Sequence, residues 1–202
     1  EAETDMIKNV CSVYDDVVLI LHIGCSIDFG FLDEYKIKGI IYLNHPGVNG
    51  NLALADIMSG DVNPSGKLTV PLAKHFKDYP SSASFGQHGG GLLQDYKEDV
   101  YVGYRYFETF KDSGKNVIFP FGYGLSYTSF SLTDKTMSEE NGIITVSCVV
   151  SNTGNAAGKQ VVQLYYSVPD INDGAVLSGP QKQLCGFEKT RLLNPGESQR
   201  LT

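Results

Sequence analysis

Two apolar runs near the N-terminus constrain the fold of this 202-residue sequence more than any other feature. The first, DDVVLILHIG, spans residues 15–24, and the second, KIKGIIYLNHPG, spans residues 36–47. Each run is continuous instead of alternating, which is typical of strands buried on both faces of a parallel sheet. Helix-like stretches occupy residues 1–14, 29–35 and 49–59. This alternation of helix and strand predicts an α/β layer at the start of the chain.

The second half of the sequence has a different pattern. From Ser126 onward, short alternating segments are separated by turn-forming residues, which is the spacing of an antiparallel β-sandwich. The predicted strands are SYTSFSLTDK, NGIITVSCVVSN, KQVVQLYYSV, QKQLCGFEKTRL and GESQRLT. In the stretch VVSNTGNAAGKQVV, Asn152, Gly154 and Gly158 predict a polar loop that turns the chain between two apolar strands.

Both halves have fewer strands than a complete layer. Two strands cannot make a sheet that is covered on both faces, and a sandwich of this type has about seven strands. We therefore expect the sequence to be a fragment. The missing strands of the α/β layer would come from sequence before Glu1 or from another chain, and the sandwich would be incomplete at its C-terminus.

A long segment without periodicity lies between the two patterns. Residues 71–99 contain Pro71, Pro80 and a run of three glycines, which predicts a connecting loop. Residues 101–130 are dense in Tyr and Phe, whose rings are costly to leave in water. We expect most of these rings, and residues 119–130 in particular, to pack between the two layers.

Charge and composition exclude several classes of partner. The net charge is −7, and the Lys and Arg residues are scattered, so neither nucleic acid nor an anionic membrane is an expected partner. No apolar run reaches the roughly 18 residues that span a bilayer. The N-terminus also lacks the layout of a signal peptide, which leaves localisation open between the cytoplasm and secretion.

The cysteines and histidines give no sign of a metal site. The four cysteines, Cys11, Cys25, Cys148 and Cys185, have no CxxC spacing. Four buried free thiols is the favoured interpretation, and a disulfide within either half of the chain is the alternative. His22 is expected to be a core or strand-end residue instead of a ligand. The sequence predicts no metal and no cofactor.

Five motifs together resemble the C-terminal half of glycoside hydrolase family 3, the β-glucosidases and their relatives. The motifs are DIMSGDVNPSGKLTVPL, EDVYVGYRYFET, FPFGYGLSYTSF, VVSNTGNAAGKQVVQLYYS and QLCGFEKTRLLNPGES. They follow the order of the family over almost the whole chain. The resemblance has one departure: where members commonly carry Gly-Gln-Glu-Gly-Gly after the second strand, residues 47–51 read GVNGN.

The resemblance implies a fold in three parts for this chain. Residues 1–70 would form the C-terminal part of an α/β sandwich domain, and residues 71–125 a linker and aromatic interdomain segment. Residues 126–202 would form a truncated fibronectin type III-like, immunoglobulin-like β-sandwich. The fold class is therefore α/β followed by all-β.

The resemblance also implies an activity. Family members are mostly retaining enzymes that remove a sugar from the non-reducing end of a β-glycoside, which requires two carboxyl groups about 5–5.5 Å apart. The nucleophile is an Asp on a barrel domain, and the acid/base is typically a Glu in a loop upstream of the helix with which this chain begins. Glu1 and Glu3 match that helix and not the loop. We therefore expect no catalytic residue in this chain and no activity from it alone.

The implied partners are a β-linked oligosaccharide or glycoside and the remainder of the enzyme, namely the barrel and the rest of the α/β domain. A homo-oligomer is a further option. Two alternative functions stay open: a non-catalytic carbohydrate-binding or scaffolding module, and a β-xylosidase or β-N-acetylhexosaminidase of the same family. The fibronectin-like segment argues against the peptidoglycan-type hexosaminidases, whose simplest members usually lack it.

Candidate substrate contacts lie between the two layers. In the loop of residues 85–99, polar and aromatic side chains suit a sugar, although an ordinary linker is the simpler interpretation. An aromatic wall near an aglycone subsite would follow it, with interface core as its simpler alternative. The candidates are Gln87, His88, Asp95, Tyr96, Tyr101 and Arg105.

Four further acidic residues are expected to have structural roles. Glu98 and Asp99 are adjacent, so on a strand they would point to opposite sides, and a solvated or salt-bridged role is favoured over acid/base chemistry. Asp28 and Asp33 resemble family positions after the first strand, but capping is the favoured role for both.

Overall fold

The computed structural model describes residues 2–86, 92–110, 112–167 and 179–202. It divides into two compact units. The first unit comprises Glu1–Leu54 and Val70–Pro120, and the second comprises Ala55–Thr69 and Phe121–Thr202.

The first unit begins as the sequence predicts. Helix α1 spans Ala2–Val13, strand β1 spans Val18–Leu21, and strand β2 spans Gly39–Tyr42. The two strands pair in parallel, with Val18 opposite Gly39 and Leu21 opposite Tyr42. A 3₁₀ turn at Gly30–Asp33 lies between them. The predicted helix, parallel strands and intervening short helix are therefore confirmed.

The segment after residue 70 is more ordered than the sequence indicates. Strand β3, Leu72–Ala73, pairs antiparallel with strand β4, Val117–Phe119, and helix α3 spans Tyr104–Thr109. Backbone bonds from Phe29 N to the Lys74 carbonyl (2.7 Å) and from Lys74 N to the Asn116 carbonyl (2.8 Å) join this segment to the rest of the first unit. Residues 71–99 show no sustained period and residues 101–130 are dense in Tyr and Phe, so the sequence did not predict the elements of this segment.

Helix α2, Gly50–Ser59, belongs to both units: it begins in the first and ends in the second. The second unit contains all five strands that the sequence predicts. They pair antiparallel in a three-stranded sheet, β5–β6–β9, and a two-stranded sheet, β7–β8. The strands are β5 Phe130–Glu140, β6 Ile143–Asn152, β7 Val161–Tyr166, β8 Gln183–Lys189 and β9 Ser198–Leu201.

The predicted loop at residues 152–158 joins β6 to β7. Strands β6 and β7 lie in different sheets, so this loop connects sheets instead of closing a hairpin. The reason is tertiary. The Asn152 side chain bonds to Leu193, and Gly158 forms a β-bridge with Leu193, which directs the chain away from β6 before β7 begins.

The core of the second unit is formed by four buried residues, Cys148, Val150, Leu193 and Leu201, against which Phe130 and Val162 pack. All four cysteines are free, as favoured. Their predicted burial is wrong for most of them, because Cys25 and Cys185 are exposed and Cys11 is half-buried. Among the described residues, no helix combines the length and apolar character needed to cross a membrane.

Candidate functional site

The base of the predicted substrate loop is closed by one glutamine. Gln94 Oε1 accepts a 3.0 Å hydrogen bond from Gly86 N, and Gln94 Nε2 donates to the Asp95 carbonyl at 3.0 Å. Two of the predicted candidates, Gln87 and His88, lie outside the described residues. Gln94 was not singled out from the sequence, because its role depends on where Gly86 lies in the fold.

Five rings of the first unit form what we call the aromatic ladder: Tyr101, Phe110, Tyr106, Phe107 and Tyr79. Successive ring centroids are 4.9, 5.1, 5.4 and 6.0 Å apart. These spacings suit tilted and edge-to-face contacts between aromatic rings. Phe107, the fourth ring, is buried, and the hydroxyl of Tyr79, the last ring, accepts a 3.0 Å bond from Ala73 N.

Helix α3 contains two of the ladder residues, Tyr106 and Phe107, and a third, Phe110, caps its C-terminal end. It starts after Gly103, whose φ of +60° favours glycine. At its other end, Ser113 Oγ donates to the Phe110 carbonyl at 2.7 Å and lies 3.1 Å from the Phe107 carbonyl. These contacts satisfy carbonyls that the short helix leaves without a partner.

The remaining candidates differ in exposure. Tyr96 is 87% exposed, and Asp95 is also exposed. Tyr101 is half-buried at the outer end of the ladder, and Arg105 Nη1 donates to the Val100 carbonyl at 3.4 Å. The structure therefore gives Tyr101 and Arg105 supported positions and leaves the ring of Tyr96 accessible for stacking.

The sequence argument placed Glu98 and Asp99 on a strand, and this placement is wrong. Both lie in a turn, where the Tyr101 N–H donates to the Glu98 carbonyl at 2.9 Å and Asp99 has a φ of +52°. A left-handed residue breaks the alternation on which the argument depends.

Asp28 is bound from two directions. It accepts a 2.8 Å bond from Gly30 N at the start of the 3₁₀ turn and lies 3.1 Å from His75 Nδ1. The bond from Gly30 N, followed by the contacts of His75 and Phe76, lowers the pKa of the Asp28 carboxyl below its ordinary value against the opposing effect of burial. Asp33 forms a 2.5 Å salt bridge with Lys74. Both acids thus hold the segment after β1 against residues 74–76.

Two histidines meet at the edge where the parallel strands end. His22 and His45 follow β1 and β2, are both exposed, and have ring centroids 6.1 Å apart. His22 is a strand-end residue, as expected from the sequence. The contact was predictable in principle, since the carboxyl ends of adjacent parallel strands share one edge. Within the described ranges, no group of three or more His, Cys, Asp or Glu side chains is placed to hold a metal ion.

Comparison with known proteins identifies relatives of the whole chain. The sequence model of the glycosyl hydrolase family 3 C-terminal domain matches residues 1–127, and that of the fibronectin type III-like domain matches residues 160–202. The chain is 42% identical to β-glucosidase A of Butyrivibrio fibrisolvens and 38% identical to a β-glucosidase of Ruminococcus albus. It is covered completely in both cases, but spans only 25% and 20% of these relatives.

Solved structures show the same relationship. The β-glucosidase of Paenibacillus barengoltzii superimposes with a TM-score of 0.87 at 40% identity, over 100% of this chain and 22% of that one. β-Glucosidase 3B of Thermotoga neapolitana, solved in complex with glucose, gives a TM-score of 0.87 at 36% identity, over 100% of this chain and 28% of that one. The resemblance found in the sequence motifs is confirmed.

Proposed function

Because this chain belongs to glycoside hydrolase family 3, we propose that it is the C-terminal part of a retaining, exo-acting β-glycosidase that hydrolyses terminal non-reducing β-glucosides. The observation that carries the proposal is the match of two domain models, in order, to a chain that is 42% identical to a β-glucosidase over its whole length. The names of the relatives favour a glucoside over a xyloside or an N-acetylglucosaminide.

The chain supplies scaffold and accessory regions in this proposal. The first unit contributes part of the α/β sandwich domain, and strands β5–β9 contribute a fibronectin type III-like sandwich. The nucleophile and the acid/base lie outside these 202 residues, in parts of the enzyme that account for about three quarters of the curated relatives. A retaining mechanism needs both carboxyl groups, about 5–5.5 Å apart, so the chain by itself is inactive.

The loop beside the aromatic ladder is the proposed substrate-facing region. Tyr96 offers an accessible ring, and Asp95, Tyr101 and Arg105 offer hydrogen-bonding groups on the same segment. Sugars are bound by such combinations of a stacking face and polar side chains. The inner ladder from Phe110 to Tyr79 packs against Tyr101 at its outer end.

A chimera tests the function. The matching C-terminal quarter of Butyrivibrio fibrisolvens β-glucosidase A is replaced by this chain, and hydrolysis of aryl β-glucosides, β-xylosides and β-N-acetylglucosaminides is measured. We expect the chimera to hydrolyse the glucoside and the 202-residue chain to hydrolyse nothing. Turnover by the isolated chain would disprove the absence of catalytic carboxylates. A folded chimera without any activity would instead favour a non-catalytic module.

Substitutions in the chimera test the substrate-facing region. Tyr96→Ala should raise KM severalfold, because it removes the proposed stacking face for the sugar. The melting temperature should not change, because the ring is exposed and supports nothing in the fold. Tyr14→Ala is the matched control, since Tyr14 is a similarly exposed tyrosine of the same unit, 64% exposed against 87%. Equal KM values for the two variants would contradict sugar contact and favour an ordinary linker for residues 85–99.

A further inference from the structure

The side-chain amide of Gln94 bonds to the backbone in two directions. Its Oε1 accepts a 3.0 Å bond from Gly86 N, eight residues earlier, and its Nε2 donates a 3.0 Å bond to the carbonyl of Asp95, the next residue. The Gln94 side chain is half-buried, whereas the Tyr96 ring two residues on is 87% exposed. Because that ring is in solvent, its place depends on the backbone that carries it.

The bond to the Asp95 carbonyl acts on this backbone. A peptide group is planar, so the carbonyl of Asp95 and the N–H of Tyr96 lie in one rigid plane. A hydrogen bond that holds the oxygen therefore restrains the orientation of the whole group, and with it the position from which the Tyr96 side chain leaves the chain.

The bond from Gly86 N connects the glutamine to an ordered turn. The 3₁₀ turn Pro80–Ala83 directly follows Tyr79, the last ring of the aromatic ladder. Phe85 N donates a 2.9 Å bond to the Ser81 carbonyl, which carries the order of this turn to the residue before Gly86. The glutamine is thus held on a turn that starts at the ladder.

The chain after Tyr96 also returns to the ladder. Tyr101, the outer ring, donates a 2.9 Å bond from its N–H to the Glu98 carbonyl. Tyr96 consequently lies between two restrained points of the backbone, the Asp95 carbonyl on one side and the turn of residues 98–101 on the other.

Closing the loop does not account for both bonds of Gln94. The bond from Gly86 alone joins residue 86 to residue 94. The bond to Asp95 links adjacent residues, so it brings no distant parts of the chain together. Its effect is local, on the peptide group that precedes Tyr96.

We propose that Gln94 is a positioning residue for substrate binding, which holds the Asp95–Tyr96 peptide group so that the Tyr96 ring meets the sugar in one place. The inference rests on the proposed function, in which Tyr96 is the stacking face. Gln94 does not touch the sugar. It strengthens binding because a ring whose backbone is already ordered loses less conformational freedom when the substrate binds.

Kinetics of the chimera test the inference. Gln94→Met keeps the length of the side chain and removes both bonds, so KM for an aryl β-glucoside should rise about threefold or more while kcat stays within about twofold. Gln199→Met is the matched control, since Gln199 Oε1 accepts a 2.8 Å bond from Arg191 N in the second unit. An unchanged KM in Gln94→Met, or an equal rise in Gln199→Met, would overturn the proposal.

Two further variants identify the bond and the ring through which Gln94 acts. Gln94→Glu can still accept from Gly86 N, but its carboxylate cannot donate to the Asp95 carbonyl, so its KM should rise as in Gln94→Met. In a chimera that already carries Tyr96→Ala, Gln94→Met should raise KM no further, because the two residues act as one unit. A normal KM in Gln94→Glu, or additive effects of Gln94→Met and Tyr96→Ala, would contradict the assignment.

A measurement without substrate separates this inference from the proposed function. The ¹⁵N order parameter of the Tyr96 amide in the 202-residue chain should be about 0.85 and fall below about 0.6 in Gln94→Met, but not in Gln199→Met. If this fall were seen and the chimera had no glucosidase activity, the proposed function would be wrong and Gln94 would still be the residue that holds Tyr96. An active chimera whose Gln94→Met variant changed neither KM nor the order parameter would refute the role of Gln94 and leave the proposed function intact.

Discussion

The side-chain nitrogen of Asn152 donates a 2.8 Å hydrogen bond to the backbone carbonyl of Leu193, 41 residues away in the sequence. Both residues are almost completely buried. The same nitrogen donates to the Ala156 carbonyl at 2.8 Å, and the Asn152 side-chain oxygen accepts from Thr128 Oγ1 at 2.7 Å. One amide therefore joins the end of β6 to the β6–β7 loop, to the segment before β5 and to the turn before β9.

Replacing Asn152 with Ala should lower the free energy of unfolding by about 2–4 kcal/mol, since it leaves several buried polar groups without partners. Urea denaturation of the isolated chain measures the loss. Asn155→Ala is the control, because Asn155 is exposed in the same loop, and its effect should stay within about 0.5 kcal/mol. Similar losses in both variants would show that the loop itself, and not the amide, matters.

Gly124 should not tolerate a side chain. A methyl group there would collide with the backbone carbonyl of Gly66, which cannot move freely because the adjoining Leu68 N–H bonds to the Tyr123 carbonyl at 2.8 Å. Gly124→Ala should destabilise the chain by about 1–3 kcal/mol in thermal or urea unfolding. Gly186→Ala has no heavy atom within 4 Å of the added carbon and should be neutral or slightly stabilising. Equal stability of the two variants would contradict the predicted clash.

Lys67 should make the stability of the chain rise with pH in the alkaline range. Its ammonium donates a 2.6 Å bond to the Gly124 carbonyl, and burial lowers its pKa below the ordinary value of 10.5. Between the lowered folded pKa and 10.5, the unfolded chain binds more protons than the folded chain, so unfolding becomes harder as pH rises through this window. Lys67→Met should flatten that rise, and the exposed Lys159→Met should retain it. An unchanged slope in Lys67→Met would refute the assignment.

Asp28 should contribute stability that is lost in acid. Its pKa is lowered from 3.8 chiefly by the bond from Gly30 N, so its contribution is fully present above 3.8 and disappears as pH falls through the folded pKa. The difference in unfolding free energy between the natural chain and Asp28→Asn should therefore be constant near neutral pH and narrow below 3.8. If the difference in unfolding free energy between the two chains did not depend on pH, the effect of Asp28 would be due to packing alone.

Truncation to Ala should lower the free energy of unfolding strongly at Phe107 and hardly at all at Tyr96. Phe107→Ala removes a ring that is 7% exposed and contacts both Tyr79 and Tyr106, and should cost about 3–5 kcal/mol. Tyr96→Ala should change stability by less than about 0.5 kcal/mol because its ring is in solvent. Chemical denaturation of both variants gives the comparison. A large loss in Tyr96→Ala would mean that the ring supports the fold.

The local residue pattern predicted those elements that lie in a continuous apolar run or in a clearly alternating segment. The apolar runs at residues 15–24 and 36–47 contain β1 and β2, and the alternating segments after Ser126 contain β5 to β9. These patterns arise because burial repeats with the geometry of the element, so they are written in the order of residues. Strands β3 and β4 have two and three residues, too few to show a period, and each depends on pairing with the other, which lies far away in the sequence.

Sequence patterns alone were enough to identify the family of this protein and its change from α/β to antiparallel structure. The tertiary structure was needed to place β6 and β7 in different sheets and to bring the Asn152 side chain to Leu193. The physical reason is that periodicity records which side of an element is buried. It does not record which residues, often 40 or more positions away, bury it.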